Sequence, residues 1–105
     1  MRKVMLCCGL GMSTSLLVKK TQKEAEARGL NDLEFFACAA NEYSDKLKKD
    51  GEIEVCLVGP QIRYLLKDIQ VDANGKNIKV AAINANDFSS VNGKKVLDQA
   101  LGLLA

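Results

Sequence analysis

The sequence KVMLCCGLGMSTS, Lys3–Ser15, decides how the chain folds. Its apolar run Val4–Cys7 suits a strand buried on both faces, and two glycines then interrupt the run. The hydroxyl residues Ser13–Ser15 are typical of helix N-termini, because their side chains satisfy backbone groups that the first turn leaves unpaired. We therefore predict a strand, a glycine loop and a helix in succession, with Cys8 at the end of the strand.

Such a loop is suited to binding an anion. Gly9 and Gly11 allow consecutive backbone N–H groups to converge on one point, and a helix N-terminus adds about half a positive charge there. The anion could be the Cys8 thiolate or a phosphoryl group bonded to its sulfur. We expect Cys8 to be a nucleophile that accepts phosphate. The expected phosphate-binding residues are those that follow it: Gly9, Leu10, Gly11, Met12, Ser13, Thr14 and Ser15.

The residues that are missing narrow the chemistry. The chain contains no histidine, so a Cys-His pair and a histidine phosphoacceptor are excluded within it. A phosphatase-type loop would place an arginine where this chain has Thr14, and no cation lies in the loop. An arginine fork would stabilise the equatorial oxygens during hydrolysis, so its absence favours a phosphocysteine that persists until an acceptor arrives. The loop thus indicates a relay rather than a phosphatase.

Two stretches resemble a known family. Cys8–Ser15, followed by Leu16–Val18, resembles the active loop of the IIB component of the bacterial sugar phosphotransferase system, lactose/cellobiose type. Val58–Ile62, with Tyr64 just beyond, resembles that family's segment after its third strand, and the similarity in length covers essentially the whole chain. The resemblance implies that Cys8 takes a phosphoryl group from a histidine of the IIA component. The resemblance also implies that Cys8 passes this group to a disaccharide held by the membrane component IIC.

Strand-like and helix-like segments alternate along the rest of the chain. Strands are predicted at Leu33–Ala39, Ile53–Val58 and Ile78–Ile83, after the first strand. Helices are predicted at Thr14–Arg28 and Asn41–Lys49, and a third is predicted to begin near Pro60, with its apolar stripe reaching Ile69. A polar stretch at Asn84–Gly93 precedes a last helix built on Val96, Leu97, Ala100, Leu101 and Leu104. This alternation implies parallel pairing and a three-layer α/β domain with a four-stranded parallel sheet and helices on both faces. The resemblance implies the strand order 2-1-3-4.

Ligands of such sheets bind outside the carboxyl ends of the strands, where the strand order reverses. With order 2-1-3-4, the loops after strands one and three meet there. Gly59, Pro60 and Gln61 would then be neighbours of the Cys8 loop, although the same turn is also an ordinary helix start. Arg63 and Tyr64 are either part of a surface for a partner or an ordinary exposed helix face.

Length and composition bound the remaining possibilities. The chain has 105 residues, so we expect a single domain over 1–105 with one hydrophobic core. The formal charge of +2 gives no argument for binding nucleic acid or a membrane surface. No apolar run is long enough to span a bilayer and no signal peptide is recognisable, so we expect a cytoplasmic protein with reduced thiols. We expect a monomer that needs no cofactor.

The four cysteines contain no Cys-x-x-Cys pair, so a zinc site is not expected. Cys38 and Cys56 are predicted to be small core side chains, and Cys7 is predicted to face the side of the sheet opposite to Cys8.

Two alternatives from other classes stay open on the sequence. A thiol redox protein would use Cys8 with Cys38 or Cys56 as the resolving cysteine, provided that one of them reaches the loop. A regulatory module would bind an anion in the same loop without covalent chemistry.

The chain also departs from the family at Asn84, Phe88 and Ser89, where many relatives have an aspartate and, further on, a tyrosine-glycine pair. The sequence does not reveal the transported sugar, so lactose, cellobiose, chitobiose and related sugars all stay open.

Overall fold

The computed structural model describes residues 2–8, 11–49, 51–73 and 76–104, with the backbone alone at 11–14. The strands are β1 (Arg2–Cys8), β2 (Leu33–Ala39), β3 (Ile53–Val58) and β4 (Lys79–Ala82). The α-helices are α1 (Gly11–Ala27), α2 (Tyr43–Lys49), α3 (Leu66–Ala73), α4 (Ala85–Ser89) and α5 (Gly93–Leu104). A 3₁₀ helix at Pro60–Leu65 leads directly into α3.

The four strands form one parallel sheet in the order β2-β1-β3-β4. β1 therefore lies inside the sheet, with β2 on one side and β3 on the other. The predicted α/β fold and the strand order 2-1-3-4 are confirmed. Because β1 and β3 are neighbours, the segments that follow them leave the sheet at the same edge.

The residues of β1 alternate between two cores. Val4, Leu6 and Cys8 pack on the face covered by α1, α4 and α5, whereas Met5 and Cys7 pack on the face covered by α2, the 3₁₀ helix and α3. All five side chains are at most 1% exposed. Burial on both faces explains why this strand is a continuous apolar run rather than an alternating one. Helices on both faces were also predicted correctly.

Helices α1 and α5 pack in close backbone contact. A Cβ atom added at Gly93 would lie 2.7 Å from the carbonyl carbon of Lys20 and 2.8 Å from the backbone nitrogen of Thr21, so the approach requires glycine. Below this contact, Arg28 on the turn after α1 places Nη1 2.7 Å from Oδ1 of Asp98. The two helices therefore form one layer over the face of the sheet that holds Cys8.

Glutamine side chains from the helices cover backbone groups of both edge strands. Gln22 of α1 donates from Nε2 to the carbonyl oxygen of Leu33 at 3.0 Å, and its Oε1 accepts from the backbone N–H of Phe35 at 2.9 Å. Gln99 of α5 donates to the carbonyl oxygen of Ala82 at 2.8 Å. Edge strands present unpaired backbone groups that can recruit other strands, so these amides stabilise the sheet and protect its edges.

The predicted start of the first helix was wrong. The helix was expected at Thr14–Arg28 but spans Gly11–Ala27, so Ser13–Ser15 lie inside its first turns and do not precede them. Glycine was interpreted as a helix breaker. In a first turn, however, the N–H groups have no intrahelical partner in any case, so a glycine there is tolerated.

The third helix begins as predicted at Pro60 but is not a single α-helix. Its first part is the 3₁₀ helix, in which Ile62 has φ −120° and ψ 27°, and the α-helix starts only at Leu66. Ile62 and Ile69 are both buried, as the apolar spacing indicated. Apolar residues spaced three and four positions apart are compatible with both a 3₁₀ helix and an α-helix, so the spacing does not distinguish the two.

Strands β2 and β3 have the predicted bounds, whereas α5 begins at Gly93, ahead of its predicted apolar residues, and the polar stretch holds an unpredicted helix. The second helix and the fourth strand are shorter than the predicted Asn41–Lys49 and Ile78–Ile83. Within Asn84–Gly93, the short helix α4 is capped by Asn84, whose side chain accepts from the backbone N–H groups of Asn86 and Asp87 at 2.9 Å and 3.3 Å. Asparagine is a preferred N-cap residue, so Asn84 was the sequence feature that could have indicated this helix.

Replacing Gln22 with methionine tests the edge interaction. Gln22→Met keeps the length of the side chain but removes both hydrogen bonds to β2, so we expect the free energy of unfolding in urea to fall by about 1–2 kcal/mol. Gln70→Met is the matched control, because Gln70 is exposed on α3. Equal effects of the two substitutions would show that the amide of Gln22 adds nothing to the edge.

Candidate active site

Cys8 is the last residue of β1, at the carboxyl edge of the sheet. It pairs with Ala39 of β2, and α1 begins three positions later at Gly11. The first turn of α1 carries no acidic side chain. The partial positive charge of a 17-residue helix therefore faces this edge without a neighbouring carboxylate from its own first turn.

The segment after β3 lies directly against Cys8. The backbone N–H of Gly59 donates to the carbonyl oxygen of Cys7 at 2.7 Å. A Cβ atom added at Gly59 would lie 3.1 Å from Cβ of Cys8, 3.1 Å from Oε1 of Gln61 and 3.3 Å from the carbonyl oxygen of Cys7. The structure thus places Gly59 and the carboxamide of Gln61 beside Cys8, with Pro60 half-buried between them.

The Cys8 side chain is 1% exposed and packs with the core under α1 and α5. Sequence reasoning placed Cys8 at the mouth of a helix and missed this burial. The sequence did contain a sign of this burial. Cys8 continues the apolar run of β1, and side chains two residues apart in a strand face the same side, so Cys8 faces the α1 side together with Leu6.

The other three cysteines lie on the opposite face of the sheet. Cys7, Cys38 and Cys56 share the core under α2 and α3, and all four cysteines are thiols rather than disulfides. The core positions of Cys38 and Cys56 and the placement of Cys7 opposite Cys8 were predicted, whereas the shared core was not. Burial raises the pKa of Cys56 to about 12, which keeps it protonated. The sheet separates these sulfurs from Cys8. None of them can act as the resolving cysteine for Cys8 in this fold, which removes the support for a redox protein that uses Cys8.

The remaining predicted site residues fall into three groups. Gly9 and Leu10 lie outside the described residues, as do the side chains of residues 11–14. Ser15 is exposed on α1. Arg63 and Tyr64 are both exposed on the 3₁₀ helix, and the side chain of Tyr64 is 78% exposed.

Two negative findings apply to residues 2–8, 11–49, 51–73 and 76–104. In these ranges, cysteine and carboxylate side chains form no group of three or more that could hold a metal ion. In the same ranges, no helix is both long and apolar enough to cross a bilayer.

Comparison with known proteins identifies the family. Residues 3–99 match the family described as "PTS system, Lactose/Cellobiose specific IIB subunit". The chain belongs to this family. It is therefore a phosphotransferase component that transfers phosphoryl groups in sugar uptake, and it works with IIA and IIC components.

Individual members of the family resemble the chain over nearly its whole length. The oligo-beta-mannoside-specific EIIB component of Bacillus subtilis is 35% identical over 104 residues, covering 99% of this chain and 97% of that protein. The galactose-specific EIIB component of Lactococcus lactis subsp. cremoris is 34% identical over 103 residues, covering 96% of this chain and 94% of the relative. The solved lactose-specific IIB domain from Streptococcus pneumoniae shares the fold, with a TM-score of 0.85 at 18% identity over 99% of this chain and 98% of that one.

Adding one methyl group at Gly59 tests the contact between the β3 turn and Cys8. Gly59 has φ −66°, which any residue adopts, so the penalty of Gly59→Ala is steric alone. Because Cβ of Cys8 and the Cys7 carbonyl belong to a buried strand, we expect the free energy of unfolding to fall by about 1–3 kcal/mol and phosphoryl acceptance to slow.

Gly102→Ala is the matched control, because a Cβ atom there meets nothing within 4 Å on an exposed helix position. It should raise stability by up to about 1 kcal/mol and leave the transfer rate unchanged. A Gly59→Ala protein with normal stability and normal transfer would contradict the close packing.

Proposed function

We propose that Cys8 receives a phosphoryl group from a phosphohistidine of the IIA component and passes it to a disaccharide bound by IIC. In the first step the Cys8 thiolate attacks phosphorus, an S–P bond forms and the P–N bond to histidine breaks. In the second step a sugar hydroxyl attacks phosphorus and gives up its proton, an O–P bond forms, the S–P bond breaks and the thiolate leaves. The chain contains no histidine, so the donor histidine has to belong to the partner.

The observation that carries this proposal is the position of Cys8 at the junction of three elements. Cys8 ends β1, stands just before the N-terminus of α1 and touches the turn after β3. A helix N-terminus offers N–H groups without intrahelical partners, which suit the oxygens of a phosphoryl group. We assign phosphate binding to the residues that follow the nucleophile: Gly9, Leu10, Gly11, Met12, Ser13, Thr14 and Ser15.

The surroundings of Cys8 suit an intermediate that has to survive. Its sulfur packs in a core from which water is excluded, and Thr14 occupies the position that an arginine would hold in a phosphatase-type loop. Excluding water and lacking that cation both slow hydrolysis of an S–P bond. With the side chain 1% exposed, transfer requires that docking of the partner makes the sulfur accessible.

Gly59 and Gln61 complete the site from the β3 side. Gly59 allows the turn to approach Cys8. We assign to the Gln61 carboxamide, whose Oε1 lies next to Gly59, a hydrogen bond from its N–H group to a phosphoryl oxygen. Pro60 fixes the start of the 3₁₀ helix and so the direction in which Gln61 leaves the sheet.

We assign the docking surface for the partners to the exposed apolar side chains next to this edge. Leu16 is 49% exposed on the second turn of α1, and Tyr64 is 78% exposed on the 3₁₀ helix. Both elements begin at the carboxyl edge of the sheet, on either side of Cys8. Exposed aromatic and aliphatic side chains of this kind are typical anchors of protein interfaces.

The identity of the sugar is assigned to IIC rather than to this chain. The relatives named for oligo-β-mannosides, galactose and lactose share the IIB family or fold with this protein. A relay that holds only a phosphoryl group has no reason to contact most of the sugar.

Removing the nucleophile tests the proposal directly. With a phosphorylated IIA component as donor, Cys8→Ser should lower the rate of phosphoryl acceptance at least roughly a thousandfold, because a serine hydroxyl is a far weaker nucleophile at neutral pH. Cys56→Ala, which changes a buried cysteine on the other face, should accept phosphate at the normal rate. Normal acceptance by folded Cys8→Ser would rule out the role of Cys8.

Two apolar-to-polar substitutions test the docking surface. Leu16→Ser combined with Tyr64→Ser should raise the KM for the phosphorylated donor about tenfold, with little change in kcat. Val71→Ser is the matched control, because Val71 is 71% exposed but lies further along α3. An unchanged KM in the double variant, or an equal rise in the control, would place the partner elsewhere.

A further inference from the structure

Two of the buried thiols lie side by side on neighbouring strands. Cys7 of β1 and Cys38 of β2 are direct partners in the parallel register. Both sulfurs lie near the carbonyl oxygen of Ala39, at 3.8 Å from Sγ of Cys7 and 3.3 Å from Sγ of Cys38. Neighbouring strands are about 4.8 Å apart, which falls within the range of Cα separations that a disulfide accepts.

We propose that Cys7 and Cys38 form an oxidation site that closes to an intramolecular disulfide in response to peroxide. In the first step the Cys38 thiolate attacks an oxygen of hydrogen peroxide, which gives Cys38 sulfenic acid and releases hydroxide. In the second step the Cys7 sulfur attacks the sulfenic sulfur, the S–O bond breaks and water leaves with the Cys7 proton. The hydroxide takes up the proton that Cys38 lost on ionising, so the two thiols together lose two electrons and one peroxide is reduced to two waters.

Cys38 is the member of the pair that peroxide meets first. Cys7 is fully buried inside the sheet, whereas Cys38 is 3% exposed on an edge strand, one residue from its end. The hydrogen bond from Cys7 lowers the pKa of Cys38 and raises that of Cys7, while burial and Glu42 oppose the lowering and Lys46 adds to it. The two steps require that Cys38 is deprotonated and that Cys7 keeps its proton, and these pKa shifts favour that arrangement.

This site is separate from the proposed phosphoryl relay. Cys7 and Cys38 lie in the core under α2 and α3, and Cys8 lies in the core under α1 and α5. Cys56 shares the core of the pair, but its register partner on β1 is Met5. Cys56 therefore serves as a cysteine of similar burial that should not join the disulfide.

The experiment uses the full chain with Cys8→Ser, so that Cys8 neither reacts with peroxide nor complicates the masses. After treatment with hydrogen peroxide, the intact protein should lose two hydrogen atoms. Trypsin places the three remaining cysteines in different peptides, Val4–Lys19, Gly29–Lys46 and Asp50–Arg63. The first two should be linked, and dithiothreitol should separate them.

Two further variants in the same background sharpen the result. Cys56→Ala should leave the linkage and its yield unchanged, whereas Cys38→Ala should abolish it. Three results would each overturn the proposal. They are a linkage to the Asp50–Arg63 peptide, disulfides that form only between chains, and no loss of hydrogen when the folded Cys8→Ser protein is treated with peroxide. Because no phosphoryl donor is present, these outcomes are independent of the proposed relay function.

Discussion

The contact between the end of β1 and the start of the β3 turn is the constraint on which the site depends. The Gly59 N–H reaches the Cys7 carbonyl at 2.7 Å, and the missing side chain of Gly59 leaves room for Cys8. The parallel order β2-β1-β3-β4 makes this contact possible, because it brings the carboxyl ends of two strands that are distant in sequence to one edge. The end of β1 and the β3 turn therefore meet at Cys8, and α1 begins three residues further along the chain.

The alternation of side chains along β1 separates the cysteines into two cores. Cys7 and Cys8 are adjacent in sequence, yet the period of two in a strand sends one to each core. The Cys8 face joins the N-terminus of a long helix, where a negative charge is stabilised. The Cys7 face joins Cys38 and Cys56 in an apolar layer. If Cys8 carries the phosphoryl group and Cys7 belongs to an oxidation site, as we propose, this alternation keeps the two thiols on opposite faces of the sheet.

Much of the fold could be predicted from the sequence, since buried parallel strands are continuous apolar runs and the helices have apolar stripes. The run Val4–Cys7 and the stripe with Ile62 and Ile69 identified a strand and a helix correctly. Boundaries were less accurate, because hydroxyl residues such as Ser13–Ser15 suit both a cap and a first turn. The contacts of Gln22 and the close approach at Gly93 depend on packing between distant segments, so no local pattern could reveal them.

For the site, the sequence indicated the cysteine, the loop and the turn after β3, but not how deeply Cys8 is buried. Burial depends on the layer formed by α1 and α5, whose backbones approach closely only because residue 93 is glycine. That layer keeps water away from the sulfur, so in the function that we propose the packing of two helices contributes to the lifetime of the S–P bond.

The most direct test of the central claim is the mass of the chain after incubation with a phosphorylated IIA component. We predict the gain of one phosphoryl group, located in the tryptic peptide Val4–Lys19 and released by iodine, which cleaves S–P bonds. A phosphoryl group that resists iodine would place the phosphate on a hydroxyl of that peptide. That result, or no gain in mass from a competent donor, would contradict the assignment of Cys8.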